Sequence, residues 1–270
     1  MREECSTVCP ILAGVPQGSI LGLFHFNIFT NDIPKDLKKT DLALYVDDVA
    51  VISQSFSAKD AAKNLQASLS KFSGWYSDWR MNLNTSKATE TLFTRKLIKK
   101  HPQVCLNGEE IKWESSISYL GVTLDSKLSW RNHMEKTCQK ATTKLAALYT
   151  LLRPKSMPMR SKVRAVNAIF QPTMTYALPV WSGCKPEYRK PLQTLQNKAL
   201  RIATGASYFA RTADLHRDLG VEMLDDHLRN LNMKFYKGLD QKENPPIKKL
   251  ADISANHFDH CPRPITALTM

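Results

Sequence analysis

Two adjacent acidic residues, Asp47 and Asp48, lie between two runs of apolar and β-branched residues, 42–46 and 49–52. This spacing predicts a tight β-hairpin that carries both carboxylates at its tip. Paired carboxylates can bind divalent cations such as Mg²⁺, and two such ions can stabilise the attacking and leaving oxygens of a phosphoryl transfer. The alternative is that the two aspartates only form a turn, because Asp is favoured in turns.

A second polar segment begins at Gly14 and includes Pro16, Gln17, Gly18 and Ser19. The two glycines allow the backbone to approach a ligand closely, and the proline fixes a turn. The glutamine and serine side chains can contact the edge of a base or a ribose. This segment and the paired acids together could provide the ligand contacts and the metal ligands of a phosphoryl-transfer site.

Hydrophobic periodicity predicts the elements that position these groups. A helix is expected over residues 19–31, before the hairpin. A longer amphipathic helix should begin at Ser57, which resembles an N-terminal cap, and its apolar stripe should place Trp75 and Trp79 in the core.

The chain after the second predicted helix has first the pattern of β-structure and then that of helices. Asn107 and Gly108 between two short β-rich runs predict a hairpin, and residues 118–124 predict a single strand in which Gly121 permits close backbone approach. Beyond Trp130 the periodicity is almost wholly helical.

Positive charge is concentrated in the helical half. The chain carries a net charge of +13, and residues 131–164 contain nine basic residues against a single acid, Glu135. Such an excess predicts a track for a nucleic-acid backbone, although a charged run is most often a solvated helix face.

The six cysteines contain no CxxC pair. Cys5 and Cys9 could serve zinc by their spacing, but no second ligand pair follows, so reduced intracellular thiols are the favoured interpretation. No apolar run reaches the roughly 18 to 20 residues that span a bilayer.

Together the motifs resemble the reverse transcriptases of non-LTR retrotransposons, close to the jockey-like elements of arthropods. The resemblance covers nearly the whole chain. It rests on palm motif B (14–19), motif C (45–48), motif D (83–87), the primer-grip segment (119–122), Trp181 and the segments 192–202 and 215–220.

The resemblance implies specific roles. Asp47 and Asp48 would bind the catalytic metals, Mg²⁺ or Mn²⁺, and Lys87 would protonate the departing pyrophosphate unless it is only a surface lysine. Further residues would contact the template and incoming nucleotide (Pro16, Gln17, Gly18, Ser19 and Tyr45) or seat the primer end (Tyr119, Leu120 and Gly121, otherwise an ordinary buried strand).

The resemblance also implies an α+β fold. Residues 1–128 would form a partial polymerase palm, an antiparallel sheet with helices, and residues 129–270 an all-helical thumb and C-terminal region. The basic helices would hold an RNA template and DNA primer, or an RNA–DNA hybrid, by the phosphates. Deoxynucleoside triphosphates are the expected substrates of the intact enzyme, in an intracellular setting without membrane contact.

The chain departs from the family pattern at its start. The motif A aspartate should lie several tens of residues before motif B, but only thirteen residues precede Gly14, and the fingers are absent too. We therefore expect the chain to be inactive alone, because catalysis of this kind depends on positioning and charge stabilisation. The alternatives are a non-enzymatic nucleic-acid-binding remnant and a transposon fossil without function.

Overall fold

The computed structural model describes residues 19–35, 37, 39–95, 102–153, 156–239 and 244. These residues form two compact units, one from residues 19–92 and 102–113 and one from residues 93–95 and 114–239. Both units mix helices with short strands, which agrees with an α+β fold. The assignment of a palm and a thumb, with a boundary after residue 128, remains a prediction.

The first unit is built around one long helix and several short sheets. Its elements are α1 (Ile20–Phe29), β1 (Thr40–Tyr45), β2 (Asp48–Ser53), α2 (Ala58–Asp78), a 3-10 turn (Thr85–Lys87), β3 (Thr89–Glu90), β4 (Cys105–Leu106), β5 (Glu109–Glu110) and β6 (Lys112–Trp113).

Helix α2 organises the core of this unit. The hydroxyl of Ser57 accepts a hydrogen bond from the backbone N–H of Asp60 at 3.2 Å, which confirms the expected cap. Its buried face packs on residues that precede and follow it in the chain. The core residues are Ile33, Val51, Leu65, Phe72, Trp75 and Val104.

The prediction that both tryptophans are core residues was wrong for one of them. Trp75 is buried, whereas Trp79 is 40% exposed and packs edge-on against Phe29, with ring centroids 4.6 Å apart. The helix ends at this point, since Asp78 is its last residue. Trp79 therefore covers the end of α1 rather than the centre of the core.

The sheets of the first unit have two strands each. Strand β1 pairs with β2 and β4 with β5, both antiparallel, while β3 pairs with β6 in parallel. Asn107 and Gly108 both have positive φ angles, 54° and 84°, so the expected tight turn between β4 and β5 is confirmed. The single antiparallel sheet of the prediction is thus replaced, in the described residues, by two-stranded pairs.

The second unit begins with a hairpin and continues as helices. Its elements are β7 (Ser116–Tyr119), β8 (Val122–Asp125), α3 (Arg131–Leu152), α4 (Met159–Ala165), a π-helical turn (Val166–Phe170), α5 (Gln171–Thr175), α6 (Leu178–Trp181), α7 (Pro186–Thr204), α8 (Thr212–Leu219) and α9 (Leu224–Leu239).

Helices α3 and α7 pack against each other at the centre of this unit. The start of α3 is fixed by Asp125, whose carboxylate accepts hydrogen bonds from the backbone N–H groups of Ser129 and Trp130 at 3.0 and 2.9 Å. The core is large and apolar, with the fully buried side chains of Met134, Leu152, Phe170, Met174, Trp181, Leu192, Leu200 and Leu224. Burying side chains of this size stabilises the unit by about 1.5 to 3 kcal/mol each.

A partly buried polar network joins α7, α8 and the start of α9. The side-chain oxygen of Gln193 accepts from the backbone N–H of Leu224 at 2.7 Å, so its amide nitrogen must face Asn197 Oδ1, also at 2.7 Å. The same Asn197 oxygen lies 2.9 Å from His216 Nε2, and the other ring nitrogen lies 2.9 Å from the carbonyl oxygen of Val221. These contacts give the segments 192–202 and 215–220 a structural role.

Candidate active site

The paired acids lie at the tip of the β1–β2 hairpin, as expected. Tyr45 pairs with Asp48 in the register, so the two turn residues are Val46 and Asp47. The prediction of a hairpin is confirmed, but the turn begins one residue earlier than the sequence indicated. Asp48 is the first residue of β2 rather than the last residue of the turn.

Val46 adopts an unfavourable backbone conformation. Its φ angle is +55°, a value that two-residue hairpin turns require at this position and that glycine or asparagine usually provides. A β-branched residue with positive φ is strained, at a cost of about 1–3 kcal/mol, and such strain is most common at functional sites.

Replacing Val46 with asparagine, which tolerates positive φ, is expected to stabilise the hairpin by about 1 kcal/mol. Hydrogen exchange of the amides in residues 42–51 should then slow by about fivefold. Val49→Asn is the matched control, because Val49 is a valine of similar exposure in the neighbouring strand. This variant should not slow the hydrogen exchange of these amides. Unchanged exchange in the Val46 variant would show that this turn stores no strain.

The carboxylates of Asp47 and Asp48 are exposed and available. Neither makes a hydrogen bond or an ion pair within the described part of the chain. Two unpaired carboxylates fit a hard cation such as Mg²⁺, which binds through one or two carboxylates and keeps several waters. No cluster of three or more His, Cys, Asp or Glu side chains suited to a metal occurs among the described residues.

The surroundings of the tip are apolar and exposed. Tyr45 is 62% exposed, and Leu44, Val46 and Val49 are also exposed. Helix α1 in the same unit also exposes most of its large apolar side chains, with Ile20 at 90%. Surfaces of this kind are typical of contacts with other chains or ligands.

The remaining residues of the first two motifs are only partly described. Ser19 directly precedes α1 and makes no side-chain capping hydrogen bond. Pro16, Gln17 and Gly18 lie outside the described residues, as do Cys5 and Cys9 of the zinc alternative. Their expected roles remain predictions.

Lys87 ends the 3-10 turn Thr85–Lys87 and is exposed. Its backbone N–H donates to the carbonyl of Asn84 at 3.2 Å, which fixes the local chain direction. The side chain is free to reach a ligand, and its proposed role as a proton donor remains a prediction.

The expected primer-grip residues form a turn rather than a continuous strand. Leu120 and Gly121 have φ angles of 45° and 76°, so the chain reverses here and joins β7 to β8. The prediction of one strand over 118–124 was therefore wrong. Tyr176 donates a hydrogen bond from its hydroxyl to the carbonyl of Leu120 at 2.8 Å.

This turn packs tightly. A Cβ added at Gly121 would lie 3.2 Å from Cε1 of Tyr176, and the positive φ angle would strain any other residue. The expectation of close approach at Gly121 is thus confirmed, with the ring of Tyr176 as the neighbour. Tyr119 is half-buried and closes the hairpin by pairing with Val122.

The basic excess of the sequence forms an exposed row on α3. Lys136, Lys140 and Lys144 are all exposed and follow one another at intervals of four residues. Each interval advances about 6 Å along the helix axis, so the three ammonium groups lie along one face. We call Lys136, Lys140 and Lys144 the lysine row.

Beneath this row lies a buried histidine that the sequence did not single out. His133 is 4% exposed, and its Nδ1 accepts a hydrogen bond from the backbone N–H of Thr123 at 3.3 Å. Burial lowers the pKa of His133 to about 4, and the positive charges of Lys140 and Lys136 act in the same direction. The imidazole is therefore neutral at physiological pH.

Glu90 is a second titratable group that the sequence did not reveal. It is 7% exposed on β3, and burial raises its pKa to about 7, against the opposing effect of a hydrogen bond from the backbone of Val104. One carboxylate oxygen, Oε2, has no hydrogen-bond partner. A buried acid of this kind cannot be recognised in sequence, because the short strand around it has no distinctive pattern.

Comparisons with known proteins agree with these features. Residues 1–124 match the family model described as reverse transcriptase (RNA-dependent DNA polymerase). No solved structure matches the chain. No helix in the described ranges has the length and apolar character needed to cross a membrane.

The similar proteins are polymerases of mobile elements. The chain is 33% identical over 262 residues to the RNA-directed DNA polymerase from mobile element jockey of Drosophila melanogaster, which covers 94% of this chain and 28% of that protein. It is 32% identical to the jockey protein of Drosophila funebris, over 91% of this chain and 28% of that protein. It is 31% identical to the probable RNA-directed DNA polymerase from transposon X-element of Drosophila melanogaster, over 90% of this chain and 27% of that protein.

The chain thus spans little more than a quarter of the length of these relatives. The matched segment includes the strained hairpin with its paired carboxylates, and the matches to the relatives continue through nearly all of the chain. Residues 1–124 are thus similar to the reverse transcriptase family, and nearly the whole chain is similar to part of the polymerases of jockey-like mobile elements.

Proposed function

We propose that this chain is part of an RNA-directed DNA polymerase of a mobile element. The observation that carries the proposal is the strained hairpin tip, which presents Asp47 and Asp48 unpaired to solvent in a chain related to reverse transcriptases. Residues 1–128 would contribute to the palm, and residues 129–270 would form the thumb and C-terminal region.

In this proposal Asp47 and Asp48 bind Mg²⁺ or Mn²⁺. The metals supply stabilisation of the charge that develops during nucleotidyl transfer. Tyr45 and Ser19, with Pro16, Gln17 and Gly18, contribute to the surface for the template and the incoming deoxynucleoside triphosphate. Lys87 provides a proton for the leaving pyrophosphate.

The second unit would hold the RNA template and DNA primer. The lysine row offers three positive charges on one helix face, which suits the phosphates of a hybrid duplex and reads no sequence. The turn formed by Tyr119, Leu120 and Gly121 would seat the primer end. Such substrates imply an intracellular setting without a membrane partner.

We further propose that the chain binds RNA–DNA hybrid but does not extend a primer alone. Two carboxylates offer fewer oxygen ligands than a pair of metal ions needs, and a further carboxylate would complete the site in the intact enzyme. The lysine row also supports the second candidate function, a nucleic-acid-binding protein without catalysis.

Metal binding at the hairpin can be tested without activity. Added Mn²⁺ is expected to broaden the NMR signals of amides in residues 44–50, because these lie close to the carboxylates. The double variant Asp47→Asn, Asp48→Asn should lose the broadening, whereas Asp41→Asn, an exposed acid on the same hairpin, should keep it. Equal broadening in the double variant would contradict the assignment of these two ligands.

Primer extension on an RNA template with Mg²⁺ or Mn²⁺ provides the second test. We expect hybrid binding without extension. Extension by the chain that is lost in the double variant would show that a working site assembles from these residues, and the proposed inactivity would be wrong. A folded chain that binds no hybrid would contradict the nucleic-acid role of the second unit.

A further inference from the structure

Two neighbouring aromatic residues, Tyr208 and Phe209, lie almost wholly in solvent between α7 and α8. Their exposed fractions are 88% and 91%. The rings contact each other edge to face, with centroids 6.1 Å apart and planes at 79°. Because so little of either ring is covered, the rings contribute almost nothing to the core. We call Tyr208 and Phe209 the aromatic tip.

The backbone that carries the aromatic tip is held in place. Arg201, on the last turn of α7, donates to the carbonyl oxygens of Ser207 and Ala210 at 2.7 and 2.8 Å, and to the hydroxyl of Thr212 at 3.3 Å. One guanidinium therefore ties both ends of the loop to the helix. Because a guanidinium is planar and pre-organised, it loses little conformational freedom for each hydrogen bond that it forms.

Hydrogen bonds within the loop add to this order. The carbonyl of Ser207 accepts from the backbone N–H of Ala210 at 3.1 Å, and its hydroxyl accepts from the N–H of Phe209 at 3.4 Å. Several polar contacts thus order a backbone whose two large side chains contact each other but are otherwise almost fully exposed in the described part of the chain. Exposed and pre-organised aromatic side chains are suited to an external ligand, because binding requires little further ordering.

The charge around the aromatic tip indicates the kind of ligand. Residues 188–213 contain five Lys or Arg and no Asp or Glu. Arg201 binds the loop and Arg189 pairs with Asp225, which leaves Lys190, Lys198 and Arg211 exposed. Aromatic rings within a stretch of chain whose own charges are all positive match the bases and phosphates of a nucleic acid.

The ring geometry favours unpaired bases over a protein surface. Two rings at 79° form a corner rather than a flat apolar patch, and polar Ser207 and Arg211 flank them. A base can stack on one ring while its edge meets the other, which bases inside a duplex cannot do because both of their faces are covered. A hydrophobic protein contact would need a broader continuous surface.

We propose that the aromatic tip is a stacking site for the unpaired bases of single-stranded nucleic acid, distinct from the lysine row that would hold duplex. The proposal extends the nucleic-acid role given above but predicts its own ligand. Stacking on Tyr208 and Phe209 holds the bases, and Lys198 on α7 and Arg211 at the start of α8 are exposed charges for the phosphates. No base-specific hydrogen bond is involved, so any sequence should bind.

The test measures the affinity of the full chain for a 12-nucleotide single strand of mixed sequence and for an RNA–DNA hybrid by fluorescence anisotropy. Tyr208→Ala with Phe209→Ala is expected to weaken single-strand binding at least tenfold and hybrid binding less than twofold. Tyr208→Phe should retain single-strand binding, because stacking needs the ring and not the hydroxyl. Phe56→Ala is the matched control, since Phe56 is also fully exposed but lies in the first unit.

Each outcome separates this proposal from the proposed function. Single-strand binding that depends on the aromatic tip supports the proposal, even if the hybrid is not bound and the polymerase role fails. A wild-type chain that binds hybrid but no single strand overturns the proposal and leaves the polymerase role intact. Equal losses for both ligands, or a change in sedimentation of the double variant that shows the tip to be a protein contact, would also overturn it.

Discussion

The triple variant Lys136→Gln, Lys140→Gln, Lys144→Gln is expected to weaken binding of RNA–DNA hybrid by roughly a hundredfold or more at 0.1 M salt. Each lysine that contacts a phosphate releases about 0.9 counterion. Three such contacts therefore raise the affinity for the hybrid by somewhat more than two orders of magnitude at this salt concentration. The slope of log affinity against log salt should fall in magnitude by about 3. Anisotropy titrations between 50 and 200 mM salt measure both quantities.

A matched control separates the row from the net charge. Lys185, Lys234 and Lys237 are also exposed in the second unit but do not form one row on α3. Changing these three to glutamine removes the same charge and should weaken binding only slightly, through the general field of the protein. Equal effects of the two triple variants would show that the lysine row has no special position in the interface.

Much of the fold could be predicted from sequence because the local signals were strong. Ser57 caps α2, Asn107 and Gly108 form their turn, and α3 forms where the periodicity beyond Trp130 predicted helix. In each case a short-range interaction, either a cap, a positive φ angle or one buried helix face, already determines the structure.

The errors arose where tertiary contacts decide the structure. Residues 118–124 have the composition of one strand, but a turn with Leu120 at positive φ interrupts them. Tyr176, from a distant segment, stabilises this turn by its hydrogen bond to the carbonyl of Leu120. A leucine in that conformation is rare, so no sequence rule would have broken the strand there. The parallel pairing of β3 with β6 is equally non-local.

The candidate site was predicted only in its chemistry. The paired aspartates identified the hairpin, but the strain at Val46 depends on which two residues form the turn, and a one-residue shift in register changes that assignment. His133 and Glu90 were missed because their properties come from burial. Sequence shows which groups can titrate, whereas the packing around them determines at which pH they do so.

His133 makes a second strong prediction, for the dependence of stability on pH. The folded chain keeps this imidazole neutral down to a pKa of about 4, whereas the unfolded chain takes up a proton below about 6.5. The unfolded state therefore binds more protons between these values, and the free energy of unfolding falls as the pH is lowered from 6.5 to 4. At 1.36 kcal/mol per pH unit the loss due to His133 is about 3 kcal/mol. Glu90, whose pKa burial raises to about 7, contributes with the opposite sign, so the effect of His133 is the difference between the wild-type chain and a His133 variant.

The physical causes of this effect can be separated. Protonation of Nδ1 would break the hydrogen bond that it accepts from the backbone of Thr123, and the added charge would be buried next to Trp181, whose ring centroid lies 6.2 Å away. Burial is the largest cause, and Lys140 and Lys136 add repulsion. The lysine-row variant should therefore raise the pKa of His133 slightly without abolishing the effect.

Urea unfolding followed by circular dichroism at several pH values between 7.5 and 4 measures the predicted loss. His133→Gln should be less stable at neutral pH but should lose about 3 kcal/mol less on acidification, because glutamine can still accept from Thr123 and does not titrate. His25→Gln, at an exposed position on α1, is the control and should retain the acid-induced loss that His133 causes. If the acid-induced loss persists in the His133 variant, other groups must cause it, and the buried imidazole would not limit the stability of the helical unit.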